Sequence, residues 1–266
     1  MADSAQSQST LTSHHTVFVI GTLLAAIFVL GQWDKAFLAI VSDTLTPVLA
    51  FIAFLSGVWA VVRVGVKRTE PFSFVWLSFV VAMALWLGSE LAWLVYPLAL
   101  GVVTPYPSIA DVFGLAAYLP VMLGLVLQAR PFRAAFRPRK IAIVVVPVLV
   151  LLVVVMFGVT SEILVQKPGA LVLMVGLAYP ILDLIALLVL GVCLLVFMRG
   201  TFWRPFVLLG IGLVFALSAH MLSVWANANG TYYSGHPLDL LFDYGYLCAS
   251  FGFYLRAKQA KEMMTL

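Results

Sequence analysis

The chain has 266 residues, of which 64% are hydrophobic and only 10% are charged, and its mean hydropathy is +1.11. Soluble domains carry about 25% charged residues, so this chain has too little polar surface to cover a water-soluble core. The same figures exclude disordered, collagen-like, disulfide-scaffold and nucleic-acid-binding proteins. They predict an all-α, polytopic integral membrane bundle whose main partner is the lipid bilayer.

The apolar segments predict seven to eight transmembrane helices, at roughly 20 residues for each span. In chain order the segments cover residues 16–33, 37–62, 72–99, 109–128, 141–160, 170–198, 205–226 and 238–255. The first segment is short and is followed by polar residues, so it either spans the membrane or lies at the interface. We expect a polar N-terminal tail over 1–15, a single transmembrane bundle over 16–256 and a short cytoplasmic tail over 257–266.

The basic residues predict how the bundle is oriented. Thirteen of the 15 lysines and arginines lie in the second, fourth and sixth connections between the segments or at the C-terminus. The other two, Lys35 and Lys167, lie in the first and fifth connections. Short loops rich in Lys and Arg face the cytoplasm. We therefore expect a multi-pass protein of the cell membrane with a cytoplasmic C-terminus. The N-terminus is cytoplasmic if the first segment spans, and external if it does not.

The positions of lysine and histidine bear on cofactors and catalysis. Every lysine lies in a loop or terminus, whereas a retinal Schiff base needs a lysine inside a helix. Rhodopsin-like photochemistry is therefore excluded, and the sequence identifies no other cofactor. Only His220 among the histidines lies within an apolar segment, while zinc sites usually need two or three. We expect a protein that is not an enzyme, with no catalytic residues and no identified metal.

Acidic side chains inside the apolar segments are the unusual feature of the sequence. Apart from Asp43 in the second segment, they are, in chain order, Glu90, Asp111, Asp183, Asp239 and Asp243. A carboxylate in hydrocarbon costs at least about 2.5–3.5 kcal/mol, so such groups face the bundle interior and mark function. Chain direction places these acids and His220 in the outer half, with Asp183 as the floor.

Helical spacing puts aromatic side chains on the same faces as the acids. Tyr246 follows the two acids of the last segment at i+7 and i+3, and Tyr118 and Tyr179 lie near the others. We expect an outward-facing acidic-aromatic cavity that binds a small extracytoplasmic ligand or a cation. The expected ligand-binding residues are Glu90, Trp93, Asp111, Tyr118, Tyr179, Asp183, His220, Asp239, Asp243 and Tyr246.

The acids also have purely structural explanations. Asp111 and Asp239 lie at helix starts, where an acid caps free N–H groups and complements the helix dipole. The deeper acids would exchange hydrogen bonds with Tyr or Ser on neighbouring helices. His220 would then be a core histidine with a satisfied hydrogen bond. The sequence leaves both sets of explanations open.

Short motifs give the chain a family resemblance. Pro107-Ser108-Ile109-Ala110-Asp111 precedes Tyr118-Leu119-Pro120, Tyr179-Pro180-Ile181-Leu182-Asp183, Gly235-His236-Pro237-Leu238-Asp239 and Gly245-Tyr246. Over about residues 47–256 this pattern resembles the multi-pass sensor module that precedes GGDEF, EAL, PAS or histidine-kinase domains in bacteria and archaea. The resemblance implies an all-helical sensory or ligand-binding unit. The chain departs from the pattern at His220, where an acid is expected.

A sensory function follows from the resemblance and from the last helix. That helix would connect the outer acids to the basic residues of 256–261 and shift when a ligand binds. The sequence ends at Leu266, so we expect the signal to reach a cytoplasmic signalling protein or a fused output domain. A small proton- or cation-coupled transporter is the alternative, although transporter sites lie near the midplane between inverted repeats. A structural subunit of a membrane complex is a further alternative.

Overall fold

A computed structural model describes residues 2–65, 71–102, 104–130, 138–165, 169–197 and 203–264. Within these ranges the chain is helical, apart from its connections, and contains no strand. The helices are α1 (Ala2–Leu30), α2 (Lys35–Val64), α3 (Pro71–Leu100), α4 (Ile109–Ala116), α5 (Tyr118–Ala129), α6 (Pro138–Val165), α7 (Ala170–Phe197), α8 (Trp203–Ala228) and α9 (Asp239–Met264). A 3-10 turn over Gly31–Trp33 joins α1 to α2.

Six of the described helical segments are long and apolar enough to cross a membrane. They are His15–Trp33, Lys35–Val64, Phe74–Leu100, Ile109–Ala129, Ala170–Leu195 and Trp203–Asn227. The prediction of an all-α polytopic bundle is confirmed. In α6 the apolar stretch is shorter, Ile141–Leu151, and α9 carries acids near its start and basic residues near its end.

The structure places both predicted tails in helices. The polar residues of 1–15 belong to α1, which begins at Ala2. The predicted cytoplasmic tail continues α9 as far as Met264. The connection over 131–137, which holds several of the basic residues, lies outside the described residues.

Side chains and a proline set the helix boundaries near the candidate site. Asp34 caps α2 by accepting a hydrogen bond from the Phe37 N–H at 3.0 Å. The predicted segment 109–128 is divided into α4 and α5 by a turn at Ala117. Pro120 explains the turn, because its ring nitrogen has no hydrogen to donate to the Ala116 carbonyl one turn back.

The helices pack as a closed ring. In order around the ring, α2, α3, α5, α7, α8 and α9 each pack against the next, and α9 returns to α2. Outside the ring, α1 lies against α9, and α6 lies against α7 and α8. Small residues permit the closest approach. At Gly212 of α8 an added Cβ would lie 2.8 Å from the Gly245 carbonyl oxygen of α9.

The two ends of the ring differ in chemistry. The ends of α2, α5 and α9 and the starts of α6 and α8 carry basic residues, and we call this the basic end. Buried aromatic rings fill the neighbouring half, with Trp76 5.3 Å from Phe206 and 6.1 Å from Phe253 between ring centroids. The buried acids lie in the other half, towards the opposite end.

Candidate functional site

The buried acids lie on three helices, α4, α7 and α9. Asp111 is 4% exposed, Asp239 is 6% exposed, and Asp183 and Asp243 are 0% exposed. Together with Glu90 they occupy the half of the bundle opposite to the basic end. Burial at this level requires that each carboxyl has a partner inside the protein.

Asp183 joins three helices. One of its carboxyl oxygens accepts a hydrogen bond from the Tyr118 hydroxyl of α5 at 2.5 Å. The other lies 2.8 Å from Nδ1 of His220 on α8. Asp183 is itself on α7, one turn beyond Tyr179. The carboxyl of Asp183 therefore links α5, α7 and α8 inside the bundle.

Asp111 serves as a cap and also as a partner between helices. Its Oδ2 accepts the backbone N–H of Ser108 at 2.7 Å, within a capping box at the start of α4. Its Oδ1 accepts the Tyr179 hydroxyl of α7 at 3.2 Å. The Tyr179 ring in turn packs 4.9 Å from the His220 ring. Asp111 therefore caps α4, as its position at a helix start indicated, and it also makes the kind of bond between helices that was expected of the deeper acids.

Asp239 fastens the start of α9 to α2 and to the preceding loop. Its oxygens accept the Tyr232 hydroxyl at 2.7 Å, the Ser42 hydroxyl at 3.0 Å and the Gly235 N–H at 3.0 Å. Burial, with Asp239 nearby, raises the pKa of the Tyr232 phenol above its ordinary value, so this loop residue stays a donor. Gly235 has φ +83 and its Cβ position is 2.8 Å from the Leu38 backbone, which leaves room only for glycine.

Asp243 lies one turn further along α9. Its Oδ1 accepts the Thr46 hydroxyl of α2 at 2.8 Å. Its Oδ2 has no hydrogen-bond partner among the described residues, although the side chain is fully buried. This oxygen is the least satisfied acidic atom at the site, and an unpaired buried charge there would be strongly unfavourable.

Glu90 and Tyr246 complete the contacts of α9. The Tyr246 hydroxyl donates to Glu90 Oε1 of α3 at 2.7 Å. Glu90 lies within electrostatic range of both His220 and Asp239. The acids of α3 and α9 thus act on one another, and His220 of α8 lies between them and Asp183 of α7. We call the whole set the acidic cluster. Its members are Glu90, Asp111, Tyr118, Tyr179, Asp183, His220, Asp239, Asp243 and Tyr246.

Trp93 is placed differently from the other predicted site residues. Its side chain is 42% exposed, and it lies nearly one turn beyond Glu90 on α3. The residues that sequence reasoning missed are Ser42, Thr46 and Tyr232, which are direct partners of the α9 acids. A signal existed for two of them, because Ser42 and Thr46 are one turn apart, like the two acids they contact.

The cluster is closed by its own hydrogen bonds. Two apolar grooves lie on the bundle surface, one between α3 and α5 and one between α7 and α8, and neither is lined by a member of the cluster. Among the described residues, no group of three or more His, Cys, Asp or Glu is arranged to hold a metal ion. The arrangement suits proton exchange within the bundle, with Asp243 Oδ2 as the atom in need of a partner.

The comparisons with known proteins return no relative. No protein-family profile, no curated protein and no solved structure matches the chain.

Proposed function

We propose that the chain is a membrane-embedded sensory module in which the acidic cluster controls the position of α9. The observation that carries this proposal is the set of polar contacts along α9. Asp239, Asp243 and Tyr246, spaced by about one turn each, bond to Ser42, Thr46 and Glu90 on other helices. Each bond depends on whether its carboxyl is protonated or bound to a cation. The packing of α9 against these helices therefore depends on the state of the carboxyl groups too.

The stimulus is a proton or a small cationic ligand from outside the cell. The cluster contains more carboxyl groups than cationic partners, with His220 as the basic group bonded to one of them. In a low-dielectric interior the excess negative charge is costly unless a proton or a cation compensates it. Asp243 Oδ2, buried and without a described partner, is the atom that gains most from such a ligand.

The output lies at the other end of α9. This helix runs from Asp239 to Met264 and enters the aromatic half of the bundle, where Phe253 is fully buried. A shift at its first turns is therefore transmitted to the basic end as a rigid-body movement. By the positive-inside rule that end faces the cytoplasm, where a signalling protein or a fused output domain would respond.

A proton- or cation-coupled transporter is the second candidate, and the Asp183–His220 pair favours it. Buried acid–histidine pairs of this kind form the proton relays of pumps and transporters. In that function the pair would load and release protons in a cycle that crosses the membrane. Proton flux into proteoliposomes distinguishes a transporter from a sensor, because a sensor need not move its stimulus across the bilayer.

The sensory proposal predicts that α9 moves with pH. Spin labels at Val62 of α2 and Lys261 of α9, with Cys193 and Cys248 replaced by Ala, report the distance between these helices at the basic end. In nanodiscs we expect the distance distribution to shift between about pH 8 and about pH 5, where histidines and perturbed carboxyls titrate. Asp243→Asn should abolish most of the shift, because the amide keeps a bond to Thr46 and cannot titrate.

Asp34→Asn is the matched control. Asp34 is an exposed carboxylate that caps α2, and Asn is an equally good cap, so this variant should behave as the wild type. An unchanged wild-type distance across the pH range and with added Na⁺ or Ca²⁺ would contradict the proposal. So would a shift of equal size in the Asp243→Asn variant.

A further inference from the structure

An apolar groove of about 460 Å³ runs along the lipid-facing surface between α3 and α5. Its walls are Phe74, Leu77 and Val81 of α3 and Pro120, Leu123 and Leu127 of α5. Ser78 also lines it, but its hydroxyl donates to the Phe74 carbonyl at 2.8 Å. The groove therefore offers hydrocarbon a concave apolar surface, and its volume is in the range of small-molecule sites, roughly 300–1,000 Å³.

The two helices that form the groove pack closely together. At Gly124 an added Cβ would lie 3.1 Å from the Phe79 ring and 3.3 Å from the Val75 carbonyl oxygen. The backbones of α3 and α5 are therefore in close contact beneath the groove. Leu123 on its wall is 53% exposed, so the groove opens to the surroundings of the bundle and not into the acidic cluster.

Arg130 lies at the end of the groove. It is exposed, and its backbone N–H donates to the Val126 carbonyl as the cap of α5, so it continues the helical path one turn beyond Leu127. From Pro120 to Arg130 the helix rises about 15 Å. This is half of the roughly 30 Å hydrocarbon core, which is the depth of one leaflet.

We propose that this groove is a binding site for an anionic phospholipid of the leaflet at the basic end. One acyl chain lies along α5 from Arg130 towards Pro120, and the lipid phosphate pairs with the Arg130 guanidinium. Guanidinium groups bind phosphate oxygens through two parallel N–H donors. The charge at the mouth selects lipids with a net negative headgroup over zwitterionic ones. This inference is independent of the proposed sensory function.

Native mass spectrometry of the full chain in detergent micelles tests the site. The protein is titrated with phosphatidylglycerol and, separately, with phosphatidylcholine of the same acyl chains. We expect tighter binding of phosphatidylglycerol. Arg130→Gln should weaken phosphatidylglycerol binding by about fivefold, as expected for one basic residue near an anionic surface, and weaken phosphatidylcholine binding less, because the choline cation offsets the charge of the phosphate. Leu123→Trp should fill the groove and weaken both lipids.

Arg139→Gln is the control for general surface charge. Arg139 is also exposed near the basic end, but α6 packs against α7 and α8 and not along the groove, so this variant should bind both lipids as the wild type does. Equal losses in Arg130→Gln and Arg139→Gln would overturn the proposal, as would full binding by Leu123→Trp. Unchanged thermal unfolding of the variants in micelles shows that any loss is local.

Discussion

At the scale of single residues, the acidic cluster depends on close fits as much as on charge. Gly114 of α4 is the clearest case, because an added Cβ would lie 2.5 Å from the Tyr179 hydroxyl oxygen. That hydroxyl is the donor to Asp111. A glycine at this position therefore makes room for a hydrogen bond between α7 and α4.

Gly114→Ala should destabilise the protein by about 1–3 kcal/mol, the usual cost of overpacking. The physical reason predicts a rescue. Removing the obstructing oxygen in Gly114→Ala/Tyr179→Phe should restore much of the loss. The double variant should therefore lose less free energy of unfolding than the two single variants lose in total. Denaturant or thermal unfolding in micelles measures the four free energies of unfolding, those of the wild type, the two single variants and the double variant.

Gly158→Ala provides the control for this cycle. Among the described residues, no atom outside the backbone of α6 itself lies within 4 Å of the Cβ position at Gly158, and alanine favours a helix interior by about 0.5–1 kcal/mol over glycine. It should leave stability unchanged or raise it. Additive effects of Gly114→Ala and Tyr179→Phe would show that the hydroxyl is not the obstacle.

At the scale of helices, α9 is held by backbone proximity on one side and by polar bonds on the other. Gly212 of α8 and Gly245 of α9 face each other, and a Cβ at Gly212 would lie 2.8 Å from the Gly245 carbonyl oxygen. Membrane helices associate closely through such small residues because lipid provides no hydrophobic drive between them. The position of α9 is therefore sensitive to changes at either contact.

Gly212→Ala should push α9 away from α8 and lower stability by about 1–3 kcal/mol. Gly210→Ala is the matched variant on the same helix. Its Cβ would meet the end of the Leu190 side chain at 2.9 Å, and that side chain can rotate away. We expect a clearly smaller loss for Gly210→Ala in the same unfolding measurement. Equal losses would show that the α8–α9 backbone contact has no special role.

At the scale of the whole molecule, composition and helical period predicted the fold class correctly because lipid exposure demands long apolar helices. The spacing of Asp239, Asp243 and Tyr246 likewise indicated a shared face of one helix. The partners of that face depend on which helices are neighbours in the ring. A single sequence contains no pairing information of that kind, so Thr46 of α2 could not be assigned to Asp243.

The same limit explains the placement of Trp93 and the division of the 109–128 segment. Trp93 follows Glu90 at i+3, which suggested a shared face, yet its side chain is 42% exposed. Exposure depends on which neighbouring helices cover that part of the face, and helical spacing does not contain that information. Pro120 carried the signal for the break between α4 and α5. The hydrogen bonds that close the acidic cluster arise from packing between helices. From the sequence, such bonds were one of two explanations of the acids, an outward-facing cavity being the other, and their partners could not be assigned.

The last prediction concerns the orientation of the bundle. Exposed Arg63, Arg130 and Arg139 all lie at the basic end, and short basic loops are retained in the cytoplasm. With Cys193 and Cys248 replaced by Ala, a cysteine at Asn229 should react with an impermeant maleimide on intact cells. A cysteine at Arg139 should react only after permeabilisation.

The reverse labelling pattern would change the proposed function as well as the topology. The loop that contains Tyr232 closes the acidic cluster through Asp239, so in the proposed sensory function the proton or cation would arrive from the side to which Asn229 belongs. If Asn229→Cys were protected in intact cells and Arg139→Cys labelled, the cluster would report on the cytoplasm. The anionic lipid at Arg130 would then belong to the outer leaflet, whereas the contacts of α9 with α2 and α3 would be unaffected.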